Sequence, residues 1–234
     1  MRKNQSARCL AAALALLLLG TGCFTVGTMQ EAHTVGKGNS QSSAEPQLWG
    51  MAIRGDKPLM THSGAFARRW GVKDDVDIGI RAGAQGVELL TKFQLTPPTG
   101  VVFSVAPSIG GTIFPVPDDS SPSLGGLVNM VLPVLIGLPV GKHQLVLSPS
   151  IRDYLVFASG GSTSSGAANL LCIGASVGFA IRVNDSFRIL PEVAAVMPVL
   201  GSAAASNFPA TSTTAGTSFA FYTVGLGFLW GRSR

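Results

Sequence analysis

The chain has 234 residues, of which 12 % are charged and 46 % apolar, with 29 glycines, 14 prolines and a formal net charge of +5. The apolar residues lie in short pieces, and beyond an N-terminal leader no run approaches the ~20 consecutive apolar residues of a membrane helix, which excludes a helix-bundle membrane protein. Three of the basic residues belong to that leader, so the positive balance gives no ground for a nucleic-acid or acidic partner.

Arg2, Lys3 and Arg8 precede or flank an apolar run over 9–19 that is too short to span a bilayer, the pattern of a secretory signal ending at residue 22. Leu19-Gly20-Thr21-Gly22-Cys23 resembles a bacterial lipobox, with Gly20 where an apolar residue is usual. The resemblance implies that Cys23 is lipidated and becomes the first mature residue. Phe24 is not the Asp that retains such lipoproteins at the inner membrane, so the implied destination is the outer membrane. Cys9 would leave with the signal and Cys172 then stands alone, so no disulfide framework is available. Residues 23–46, rich in Gly, Ser, Gln, Lys and Asn, read as a flexible tether, with His33 a solvent-exposed linker residue.

The remainder, 47–234, reads as one β domain. Ten candidate strands cover 47–54, 61–72, 75–83, 86–95, 100–113, 127–140, 143–157, 168–183, 186–200 and 218–230. Most reach the roughly 9 to 11 residues that a tilted membrane strand requires. Short turns at 73–74, 97–99, 141–142 and 184–185 alternate with longer connections, except for a tight hairpin at Ala84 and Gln85. The expected fold is an all-β, antiparallel, up-and-down transmembrane β-barrel of about ten strands, with eight or twelve as alternatives.

Period two assigns the faces. Val128, Met130, Leu132, Val134, Ile136 and Leu138 form one apolar face; Leu171, Ile173, Val177, Phe179 and Ile181 form another, opposite Cys172, Gly174, Ser176, Gly178 and Arg182. Trp49, Trp70, Tyr154, Phe157 and Trp230 lie near strand ends, where interfacial aromatic girdles are expected. Pro107, Pro133, Pro149, Pro191 and Pro198 each remove a ladder donor and call for bulges or shorter strands. Arg68 and Arg69 are consecutive, so they cannot both point inward.

The same counting sends Arg54, Asp77, Arg81, Glu88, Lys92, Arg152, Arg182, Arg188 and Glu192 to the interior, six basic groups and three acidic. They imply either a structural ion network or a narrow pore favouring anions. His62 with Ser63 and His143 with Ser148 are nominal catalytic pairs with no directing carboxylate in view, and no cofactor or metal motif is present, so no enzyme activity is expected.

Thr223, Gly225, Phe228 and Trp230 close the last strand, which resembles the C-terminal signal by which outer-membrane barrels are recognised for assembly, although Gly231 and three further residues follow the aromatic. As a whole the chain resembles bacterial outer-membrane β-barrel proteins that begin with a lipobox-like Cys and a polar tether. That resemblance implies outer-membrane lipid and the barrel assembly machinery as partners and an outer-membrane location. The functions it leaves open are a structural or envelope role with narrow passage of small solutes, a surface-exposed binding module using the outer loops for an unknown partner, and, ranked last, a lipid-modifying enzyme.

Overall fold

The computed structural model describes residues 27–53, 59–83, 86–116, 123–159, 166–205, 208–213 and 219–231. Its strands are β1 (Ser40–Ile53), β2 (Leu59–Lys73), β3 (Val76–Gly83), β4 (Gly86–Gln94), β5 (Val102–Val105), β6 (Ser108–Val116), β7 (Ser123–Val140), β8 (His143–Ser159), β9 (Gly166–Asn184), β10 (Phe187–Ala205), β11 (Phe208–Thr213) and β12 (Phe219–Gly231). All pair antiparallel, and β12 pairs with both β10 and β1, which closes the sheet into a barrel.

The wall has ten staves, because β5 and β6 are two halves of one, both lying between β4 and β7. Pro107 separates the halves: lacking an N–H, it leaves its carbonyl to accept from the Thr91 N–H at 3.0 Å, while the Ala106 N–H reaches the Pro133 carbonyl at 3.1 Å. Pro198 sits at a register shift between β10 and β9, and Pro46 falls in the gap between the Ala44↔Phe228 and Gln47↔Gly225 pairings of β1 with β12. β11 folds back on the top of β10 beyond the last rung that β10 shares with β12.

One end carries the compact connections at 74–75, 141–142 and 185–186, together with Ser40 and Gly231; we term this the turn end, and the other the loop end. The hairpin joining β3 to β4 is at the loop end and is tight, since Gly83 pairs with Gly86.

The outer face is apolar. Phe66, Ile80, Leu89, Ile109, Met130, Ile151, Ile173, Val177, Val193 and Val224 are all exposed, and the belt continues around every stave. Trp70, Phe157 and Trp230 also point outward. Trp49 and Tyr154 do not, contrary to the girdle expectation. Each is 1 % exposed, and Trp49 stacks on Phe221 inside the barrel at a centroid distance of 5.7 Å. Position near a strand end did not decide their side; pleat parity did, since Trp49 shares a face with Gln47 and Met51, and Tyr154 with Arg152.

Arg68 and Arg69 split as the pleat requires: Arg68 lies outside, its guanidinium carbon 5.7 Å from the Trp70 ring centre, and Arg69 is buried inside.

A charge placed in the outer belt should be costly. Val177→Arg is expected to destabilise the folded barrel by about 2–4 kcal/mol if its outer face meets hydrocarbon, whereas Val177→Leu should fold like the parent. Urea titration of the chain refolded into liposomes measures both.

Candidate functional site

The interior is filled by the chain itself. Residues 27–39 precede β1, bear no strand pairing among the described residues, and run inside the barrel, with Gly27 to Gly36 buried except for half-buried His33. This corrects the reading of 23–46 as a tether: 40–46 form the first half of β1, 27–39 fill the lumen, and 23–26, with Cys23, lie outside the described residues, as does the signal over 1–22. The polar composition that suggested solvation instead matches a polar interior.

The segment enters at the turn end, where the Gly38 N–H donates to the Gly71 carbonyl and the Gly71 N–H to the Asn39 carbonyl, both at 3.0 Å. Gly36 and Gly38 have φ of 81° and 77°, and a side chain on Gly71 would collide with the Gly36 carbonyl, so the entry bend depends on all three glycines. The far end, at Thr28, reaches Glu192, which pairs across the wall with Gly225, midway along β12.

Side chains of the wall grip the segment mainly by its backbone. The Glu192 carboxylate accepts the N–H groups of Thr28 at 2.5 Å and Met29 at 2.9 Å, a convergence made by the left-handed Met29 at φ 46°. Gln144 Oε1 accepts from the Ala32 N–H at 3.0 Å, Gln94 Oε1 from Thr34 at 3.0 Å, and the Asp77 carboxylate from Val35 at 3.0 Å. The carbonyls are met in turn: Arg81 donates to Thr28, Lys92 Nζ to both Glu31 and His33, and Ser104 Oγ to Ala32, at 2.6 to 2.9 Å. Wall glycines leave the space. A Cβ on Gly225 would strike the Met29 Cε, and one on Gly137 would lie 2.7 Å from the Ala32 Cβ. Burial, with Lys92 and Arg188 nearby, pushes the His33 imidazole below its ordinary range.

The interior charges balance. Among the described residues five cations are buried, Arg69, Arg81, Lys92, Arg152 and Arg188, and five carboxylates, Glu31, Glu45, Asp77, Glu88 and Glu192. Arg81 bridges Glu45 at 3.0 Å and Glu88 at 2.9 Å, Lys92 lies 3.9 Å from Asp77, and Arg188 pairs with Glu31 at 2.9 Å. Sequence reasoning missed Glu31 and Glu45, which it left in the tether, and so counted an excess of cations. Period-two counting back from Gln47 would have found Glu45. Arg69 also joins the interior; among the described residues none of its guanidinium nitrogens has a hydrogen-bond partner.

Two residues placed inside by sequence stand elsewhere or beyond view. Arg182 is half-exposed at the turn end, where it pairs with the exposed Asp185 at 3.1 Å; two residues from the strand end, its long side chain reaches the rim. Arg54 lies outside the described residues. In β12, Thr223 is buried on the inner face and Trp230 is exposed on the outer, with Phe228 half-buried between them.

Above the segment, toward the loop end, Trp49, Met51, Leu127, Tyr154, Cys172, Ala194, Val196 and Phe221 form an apolar core across the lumen. Among the described residues, small cavities in the polar zone are lined by Arg81 and Glu88 among others, with room for a water at most. The nominal catalytic pairs are not assembled: His143 Nδ1 accepts the Arg182 N–H at the turn end, while Ser148 is buried in the lumen, and His62 is exposed on the face opposite Ser63.

No family model matches the chain, and no curated protein sequence matches it. Solved structures do. The outer membrane protease OmpT from Escherichia coli aligns over 86 % of this chain and 100 % of that one, at 8 % identity and a TM-score of 0.45. The translocator domain of the autotransporter NalP from Neisseria meningitidis aligns over 97 % of each chain, at 11 % identity and a TM-score of 0.45. Ail, the attachment invasion locus protein of Yersinia pestis, aligns over 83 % of this chain and 99 % of that one, at 10 % identity and a TM-score of 0.39.

Arg81 is the busiest ion in the network. Arg81→Ala should lower stability by about 3–5 kcal/mol, because it strands buried carboxylates. Adding Glu88→Ala should restore part of that loss but not all, since Glu45 stays unpaired. The temperature at which the protein loses its folded mobility on unboiled gels reads both variants.

Proposed function

We propose that the protein is a bacterial outer-membrane barrel whose lumen is closed at rest and whose role is structural within the envelope. An unbroken apolar exterior on a closed antiparallel wall supports a lipid surround, because soluble monomers rarely expose apolar patches beyond a few hundred Å². The observation that carries the closed reading is the lumenal segment held between wall side chains beneath the apolar core around Trp49. Among the described residues the equal numbers of buried cations and carboxylates argue against an anion-favouring pore, since their charges cancel.

A second reading, a surface binding module, draws support from the loop end. There β9 and β10 continue to pair as far as Ala205↔Gly166, nine residues past the Val196↔Phe221 rung, and β11 lines the extension. This raises a Ser-, Thr- and Ala-rich ladder above the wall on which a partner could dock.

Lipidation of Cys23 belongs to the same proposal and rests on the lipobox-like context alone. Cys23→Ala should abolish incorporation of labelled palmitate while the variant still partitions with membranes; persistent labelling overturns that part. The closed reading is tested separately. Proteoliposomes of the parent protein should not swell in arabinose or other small sugars, and swelling comparable to that given by an open porin would refute it.

A further inference from the structure

We propose that the lower lumen is a binding site for an extended polypeptide main chain, and that the chain's own residues 27–39 are its detachable occupant. The inference deepens the closed-barrel reading and rests on it.

The distinction lies between a segment that is part of the wall and one that is bound by it. Among the described residues, the only backbone ladder contacts of the segment are at its root, between Gly38, Asn39 and Gly71. From Thr28 to Val35 every hydrogen bond from segment backbone to wall ends on a wall side chain: Glu192, Arg81, Lys92, Ser104, Gln144, Gln94 and Asp77. The ten staves pair without it. The wall thus reads mainly peptide N–H and C=O groups, which any sequence offers, using carboxylates and amides for the first and cations and a hydroxyl for the second, and adds side-chain contacts between Arg188 and Glu31, Glu192 and Thr28, and Gln94 and Thr34.

Two features suit release. Glycines with positive φ at 36 and 38 supply a hinge at the mouth. At the far end Met29 is held left-handed, a conformation disfavoured for a residue with a Cβ that relaxes once Glu192 lets go. Withdrawal would leave Asp77, Lys92, Arg81 and Glu192 facing an opened polar lower lumen.

The Thr28 and Ser176 Oγ atoms are 3.4 Å apart, so a T28C/S176C pair, built with Cys9, Cys23 and Cys172 replaced by Ala so that each introduced thiol has one partner, can fasten the occupant to the wall. In hydrogen–deuterium exchange of the refolded protein, the amides of Ala32, Thr34 and Val35 should exchange in the reduced state through openings that spare the staves, and oxidation should slow that exchange at least tenfold. Identical exchange in the two states would overturn the proposal. As a second measurement, Ala32→Pro removes the N–H that Gln144 accepts, whereas Ala32→Gly keeps it. Exchange at the Thr34 and Val35 amides should be about tenfold faster in the proline variant than in the glycine variant, the worth of one buried hydrogen bond, with both retaining folded gel mobility. Equal exchange, or collapse of the barrel in the proline variant alone, would mark the segment as a fixed part of the core.

Discussion

A closed wall of ten staves surrounds more charge than its own residues can pair, and the structure depends on how that charge is met. Asp77, Lys92 and Glu192 point inward because the pleat gives them no other direction. Buried ions without partners are expensive by several kcal/mol each. The wall supplies part of the answer in the Arg81, Glu45 and Glu88 cluster. The rest comes from peptide dipoles of the segment before β1: two N–H groups on Glu192, one on Asp77, and two carbonyls on Lys92. Charge inside the barrel and backbone from the N-terminal segment are two halves of one neutralisation.

This division explains which parts of the fold were legible in sequence. Period-two alternation and turn residues located all ten staves and the tight hairpin between β3 and β4. The hairpin sets Asp77 opposite Lys92 and Arg81 opposite Glu88, all four on the inward face that alternation assigned them. It could not show 27–39, because a strand announces itself by the period of its side chains, while this segment is held by main-chain atoms that every residue possesses. The one available signal was compositional, and glycine and polar residues describe a polar lumen as well as they describe water. Trp49 and Tyr154 were misplaced for a different reason: a tryptophan suits both a membrane interface and an apolar core, and only parity separates them.

The prolines show how a barrel tolerates lost donors. Pro107 splits a stave into β5 and β6, but the ladder is re-joined through carbonyls of Pro107 and Pro133 that accept from neighbouring N–H groups. Pro46 and Pro198 fall where rungs are missing or shifted. The Pro46 break lies within the closing seam, where β1 and β12 pair on both sides of it, from Gln41↔Gly231 to Ala44↔Phe228 and from Gln47↔Gly225 to Ile53↔Phe219.

The sequence distance between partners sets an order of events. Thr28 and Glu192 are separated by 164 residues, and Ala32 and Gln144 by 112. Neither acceptor is in position until β8 and β10 stand beside their neighbours. The segment precedes its acceptors in the chain and yet waits on them, since closing loops over such separations goes unrewarded until the far side exists.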